Sequence, residues 1–256
     1  MIGAIIGDIL GSDYEFNNTS DYHFPFFSES SDFTDDTICT VAIADAILNR
    51  DKDYHNSMRD WCRKYPHPKG EYGSFFLNWV MRSDPYPYNS YGNGSAMRVS
   101  PVAWLFDSEA EVREQARATA AITHNHPQGI KGAEAIAVAI YRMRKADKKE
   151  SRIFEETAKE FYGEGVFNNL PERGYFDVTC QGCVPLAFYL VSLATDFEDA
   201  IRLTVAYGGD SDTLGAIVGS LAEAQFPIPN ELRLRALSYL SKEMLDVINQ
   251  FEGKRK

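Results

Sequence analysis

The stretch LGAIVGSLAEA, residues 214–224, places apolar side chains at helical spacing and carries glycines at 215 and 219, one turn apart. A glycine inside a helix costs about 1 kcal/mol relative to alanine. The simplest compensation is close approach of two backbones, so this stretch reads as a central, buried helix. The N-terminal run GAIIGDILG repeats the spacing at Gly3, Gly7 and Gly11 and reads the same way. A membrane helix-pairing seam is the other source of such a pattern. Nearby polar residues weigh against it, and no uninterrupted apolar run approaches the ~18 residues needed to span a bilayer.

Helical spacing continues outward from these two runs, over residues 37–48, 109–122, 133–143, 153–162, 184–194, 197–206 and 232–248. Strand-like alternation is scarce. Proline and glycine punctuate the intervals, at Pro25, at YPHPKG (65–70), at DPYP (84–87), and at Pro127, Pro171, Pro227 and Pro229. The chain therefore reads as one compact all-α domain over residues 1–256, with long loops rich in Gly, Pro and Tyr. Loops of that length in a compact domain are usually functional or disordered, and these are too aromatic for disorder.

Hydrophobic residues make up 44 % of the 256 residues, enough for a sizeable core. The formal net charge is -11, with the acids spread along the chain. That balance excludes nucleic-acid binding by phosphate neutralisation, which needs concentrated Lys and Arg. The pair Cys180 and Cys183 has redox or half-zinc-site spacing, but no second Cys or His pair completes a zinc site. The four cysteines read as reduced core residues. The apolar N-terminus lacks a basic leader and is interrupted by Asp8, so it is not a signal peptide, and a cytoplasmic location is expected.

Two acidic clusters stand at helix starts. Asp210, Ser211, Asp212 and Thr213 precede the run at 214, and Thr34, Asp35, Asp36 and Thr37 open the run at 37. Capping explains one such residue at each place, because Asp, Ser and Thr satisfy free N–H groups and a carboxylate is favoured by the helix dipole. It does not explain several in succession. Adjacent carboxylates repel unless something positive lies between them. Side-chain oxygens alone select hard ions such as Mg²⁺, Mn²⁺ or Ca²⁺. Two clusters facing one cavity would hold two ions that polarise an oxygen and activate water. Helix capping and metal binding both stand at this point. Glu15, just beyond the glycine-bearing first helix, reads on its own as a solvated glutamate, and SYGNG (90–94) as an ordinary tight turn.

Together these segments resemble the ADP-ribosylglycohydrolase family, the proteins akin to the dinitrogenase-reductase-activating glycohydrolase. The resemblance runs in order through GAIIGDILGSDYE, TDDT, KGEYGSFF, SYGNGSAMR, THNHPQGIKGA, QGCVPLAFYLV and GGDSDTLGAIVGS. It implies an all-α orthogonal bundle whose cleft holds a binuclear Mg²⁺ or Mn²⁺ centre. By similarity, Thr34, Asp35 and Asp36 bind metal from one side, and Asp210, Asp212 and Thr213 from the other. Glu15 matches the family's mobile acidic residue, and Glu15, Asp35 and Asp212 are the expected catalytic carboxylates. Gly73, Ser90, Tyr91, Gly92, Asn93 and Gly94 match the loops that hold ADP-ribose, and His124 a histidine near the ligand. The implied reaction is hydrolysis at the anomeric carbon of the proximal ribose of an ADP-ribosylated protein or another ADP-ribose derivative. A non-catalytic ADP-ribose-binding or structural family member, and a hydrolase of another nucleotide-like substrate, are the alternatives. Asn89 stands where some members carry glycine, and DPYPYN (84–89) has no evident counterpart.

Overall fold

In the computed structural model, which describes residues 1–255, helices α1 (Ile2–Gly11) and α12 (Ser211–Gln225) meet as the glycine spacing predicts. A Cβ on Gly3 would lie 2.1 Å from the Gly219 carbonyl oxygen, and one on Gly7 only 1.9 Å from that of Gly215. A Cβ on Gly11 would lie 2.1 Å from the Ser211 oxygen, so the pairing order makes the helices antiparallel. Every residue of α1 is buried. The antiparallel contact brings the C-terminus of α1 to the N-terminus of α12, where the Ser211 hydroxyl donates to the Gly11 carbonyl at 2.9 Å.

Around this pair, in chain order, come α2 (Asp35–Asn49), α3 (Tyr54–Lys64), α4 (Ser74–Met81), α5 (Gly94–Met97), α6 (Ser100–Leu105) and α7 (Glu109–Ala121). They are followed by α8 (Pro127–Lys145), α9 (Arg152–Tyr162), α10 (Cys180–Leu193) and α11 (Phe197–Tyr207). After α12 the chain ends with α13 (Asn230–Leu237) and α14 (Lys242–Lys254). Among the described residues there is no strand, only isolated bridges joining Thr34 to Lys69 and Gly92 to Thr179. The fold is all-α. No helix among them is long and apolar enough to cross a membrane. The four cysteines are unbridged and buried.

Three departures from the sequence reading have local causes. The run at 232–248 is two helices, because the Ser238 N–H turns back onto the carbonyls of Leu234 and Arg235 while Ser241 caps a new start by accepting from the Met244 N–H. Helices α3 to α6 lie where loops were expected. In α3 the buried Tyr54, Met58, Trp61 and Cys62 do have helical spacing, diluted by polar neighbours; α4, α5 and α6 are too short for periodicity to stand out. Helix α8 starts early, at Pro127, with the His126 ring nitrogen accepting from the Gln128 N–H at 3.1 Å.

Candidate active site

The start of α2 is built on a residue from α1. Thr34 is the cap, in extended backbone, and its hydroxyl accepts from the Asp36 N–H at 3.2 Å. The carboxylate of Asp8, fully buried in α1, then accepts from the Thr34 hydroxyl at 2.8 Å and from the N–H groups of Thr34 and Thr37, both at 3.1 Å. The Thr37 hydroxyl also donates to it. Asp8 thus satisfies free N–H groups at a helix N-terminus, where the dipole favours negative charge. Sequence reasoning missed this residue. Its only signal was a carboxylate inside an otherwise apolar, small-residue helix.

At the start of α12, Asp210 occupies the cap position but its side chain makes no capping hydrogen bond. It accepts instead from the Asn93 amide at 2.6 Å, across the cleft-lining loop. The Thr213 hydroxyl reaches to Asp36 Oδ2 at 3.1 Å, which joins the two acidic clusters. The preceding Gly208 and Gly209 adopt φ of 82° and 95°, a region that favours glycine. Asn18 grips Gly209, accepting from its N–H at 2.6 Å and donating to its carbonyl at 3.0 Å. The same amide donates to the Tyr14 and Glu15 carbonyls, so the loop carrying Glu15 is tied to the start of α12. Oxygens of Glu15, Asp210 and Asp212 lie within 4.8 Å of one another.

Six carboxylates thereby crowd one place, with Arg98 and Lys69 as the cations nearest them. Burial, and then repulsion from Asp212, pushes Asp8 up to about 7 and both Glu15 and Asp35 up to about 8. The same causes raise Asp36 and Asp210 well above the usual carboxylate range, and burial raises Asp212. Lys69 is already committed to Asp13, the Ser12 hydroxyl and the Ser30 carbonyl. One oxygen each of Asp36 and Asp212 is buried with no hydrogen-bond partner among the described residues. Buried acceptors of this kind require a partner. An oxygen-only donor set with excess negative charge fits a hard divalent cation.

The carboxylates open into a cleft of about 710 Å³. Every residue expected at the site lines it except Thr34, whose hydroxyl is turned to Asp8. The Ser90–Gly94 segment is not a free-standing tight turn. Its backbone is pinned to residues 178–180, with Asn93 N–H donating to the Val178 carbonyl at 2.8 Å and Cys180 N–H to the Tyr91 carbonyl at 2.9 Å. Asn93 sits in helical backbone as the cap of α5. Gly94 makes room for His124, since a Cβ there would stand 3.1 Å from its Nε2, while a Cβ on Gly92 would meet the Ser90 hydroxyl oxygen first, at 3.3 Å. At Gly73, nothing among the described residues comes within 4 Å of an added Cβ, so its backbone faces open space.

The structure adds lining residues that the sequence reading passed over. Arg98 is buried, while Phe16 and Phe75 are each 76 % exposed. Phe16 stacks on Phe176 at 5.8 Å between ring centroids, and Phe75 on Tyr88 at 6.2 Å. No periodicity could announce these pairs, because each joins residues from separate segments. Asn89, the departure noted above, takes a left-handed φ of 55° and donates its N–H to the Asn125 side chain at 2.7 Å.

Comparison with known proteins gives a consistent picture. The family described as ADP-ribosylglycohydrolase matches residues 1–251. The chain is 25 % identical to ADP-ribosylhydrolase ARH3 of Danio rerio, over 89 % of this chain and 82 % of that protein. It is 22 % identical to the ADP-ribosyl-[dinitrogen reductase] glycohydrolase of Rhodospirillum rubrum, over 89 % and 84 %. ADP-ribosylarginine hydrolase Tri1 of Pseudomonas putida is 24 % identical, over 89 % and 70 %. A solved ADP-ribosylglycohydrolase-related protein complex shares the fold, with a TM-score of 0.76 at 24 % identity over 99 % of this chain and 96 % of that one.

Proposed function

Because the chain belongs to the ADP-ribosylglycohydrolase family, we propose that it is a divalent-metal-dependent hydrolase cleaving the glycosidic bond between ADP-ribose and a modified side chain or related conjugate. The observation that carries this reading is the pair of partnerless buried oxygens on Asp36 and Asp212, within a carboxylate cluster that opens to the cleft. Asp35, Asp36, Asp210 and Asp212, with the hydroxyls of Thr34 and Thr213, would hold two Mg²⁺ or Mn²⁺ ions. Bound ions would supply the positive charge that stabilises developing negative charge and orients water.

The remaining steps fall to the chain's own residues. Glu15, on a loop tied to Gly209 through Asn18, would be deprotonated when positive charge in the cluster offsets the burial and repulsion that raise it. It would then take the proton of the attacking water and return one to the departing side chain as that side chain's bond to the ribose breaks. What supports this role is its place in the cluster, with carboxylate oxygens of Glu15, Asp210 and Asp212 within 4.8 Å of one another. The backbone N–H groups of Ser90, Gly92 and Asn93 already donate within the protein, so those of Tyr91, Gly94 and Gly73 would be the donors for a diphosphate. Asp8 keeps Thr34 and the first turn of α2 in place, acting through them rather than on substrate.

The test is release of ADP-ribose from a panel of Arg-, Ser- and acid-linked substrates, with Mg²⁺ and with Mn²⁺. Turnover of at least one linkage is expected, lost on chelation and lost in Asp35→Ala and Asp212→Ala. Full activity with the ions chelated would overturn the reading.

A further inference from the structure

His124 sits between α7 and α8, and its Nδ1 lies 2.7 Å from the hydroxyl oxygen of Thr123. That same oxygen is 2.9 Å from a terminal nitrogen of Arg98, whose second bond from this nitrogen goes to the Thr119 carbonyl at 3.1 Å. A guanidinium only donates, so one lone pair of the Thr123 hydroxyl is taken. Thr123 is fully buried, and its own O–H must therefore find an acceptor. Among the described residues Nδ1 is the acceptor that this hydroxyl reaches. Nδ1 must then be unprotonated, and the proton of the neutral ring sits on Nε2. Burial and the charge of Arg98 keep the ring neutral, holding its pKa well below the ordinary histidine value. Nε2 stands beside Gly92 and Gly94 in the wall of the cleft, and the missing Cβ of Gly94 admits it.

We propose that Arg98 and Thr123 lock His124 as a neutral Nε2–H donor facing the cleft, so that this wall accepts a ligand through a hydrogen-bond acceptor and rejects a donor at the same point. Arg98 and Thr123 are positioning residues in this arrangement, two steps and one step removed from the ligand. The tautomer follows from the hydrogen bonds alone. The choice of ADP-ribose as the ligand that supplies the acceptor rests on the functional reading above.

Long-range ¹H–¹⁵N NMR of the labelled full chain reads the tautomer directly, with His124 assigned among five histidines by its loss in His124→Gln. The wild type is expected to show the Nε2–H pattern, unchanged between pH 6 and 8. Thr123→Val keeps the shape but lacks the hydroxyl. It is expected to shift the Nδ1 resonance and to weaken ADP-ribose binding about fivefold to tenfold by calorimetry, the scale of one neutral hydrogen bond. Thr123→Ser is expected to restore both. An Nδ1–H pattern in the wild type overturns the lock. An affinity indifferent to Thr123→Val, with the tautomer as expected, overturns the recognition role. If ADP-ribose binds neither protein while the NMR pattern is as expected, the functional reading fails and the tautomer lock stands.

Discussion

Asp8 shows how one buried side chain can matter to a site without belonging to its outward-facing set. Its carboxylate receives hydrogen bonds from the N–H and hydroxyl groups of both Thr34 and Thr37. Asn in its place has one acceptor oxygen and turns an NH₂ toward groups that are themselves donors. Asp8→Asn is therefore expected to lower Mn²⁺ affinity about 10–100-fold, the usual effect of losing a supporting partner behind metal ligands. Calorimetric titration of the folded variant checks this, and an unchanged affinity would make Asp8 a stability residue only. His124 makes a second prediction at this scale. Its folded pKa lies well below the ordinary 6.5, so below pH 6.5 the unfolded chain binds a proton that the native chain refuses. Stability contributed by this residue is intact above pH 6.5 and is lost as pH falls below it. The difference in urea stability between the wild type and His124→Gln should show that slope, because the raised carboxylates of the cleft titrate in the opposite sense in both proteins and cancel.

Among the elements, the α1–α12 contact carries the largest consequence. A Cβ on Gly7 would stand 1.9 Å from the Gly215 oxygen, and that atom is backbone, with nowhere to swing. Gly7→Ala is expected to lose at least the roughly 1–3 kcal/mol typical of overpacking, despite alanine's better helix propensity. Gly253, in α14, meets nothing within 4 Å, so Gly253→Ala should raise stability by about 0.5 kcal/mol. The two chemically identical changes should thus move the urea midpoint in opposite directions. A loss confined to neither helix, or a gain at Gly7, would refute the close-contact account. The glycine spacing made this pair legible because it repeats every turn over three turns. Helix α5, of four residues, offered no such repeat, yet it carries Gly94 and follows Asn93 at the cleft.

At the scale of the whole molecule, one continuous core runs from Met1 to Phe251 and supports a cluster of carboxylates that repel one another. Divalent ions held there, as proposed, would compensate that repulsion. At an ion concentration one hundred times Kd, linkage predicts a gain of about 2.7 kcal/mol. For a chain of this size that corresponds to a rise in Tm of about 5–10 °C. Mn²⁺ should produce it in the wild type and fail to do so in Asp212→Ala. Equal shifts in both would place the ions elsewhere.

What the sequence determined by itself was everything written in near neighbours. Glycines one turn apart marked two central helices, and runs of Asp and Thr at helix starts marked oxygen donors, because periodicity and capping act within a few residues along the chain. The ordered motifs identified the family on the same local evidence. Tertiary structure alone decided which of those oxygens are left partnerless among the described residues, that the Asp210 side chain bonds Asn93 rather than capping its own helix, and that Asp8 holds Thr34. It also decided that Phe16 meets Phe176 and that Arg98 reaches His124 through Thr123. Those outcomes depend on desolvation and on hydrogen bonds between residues far apart in sequence, such as Ser211 and Gly11, separated by 200 positions. Distances of that kind exist only once the helices have packed.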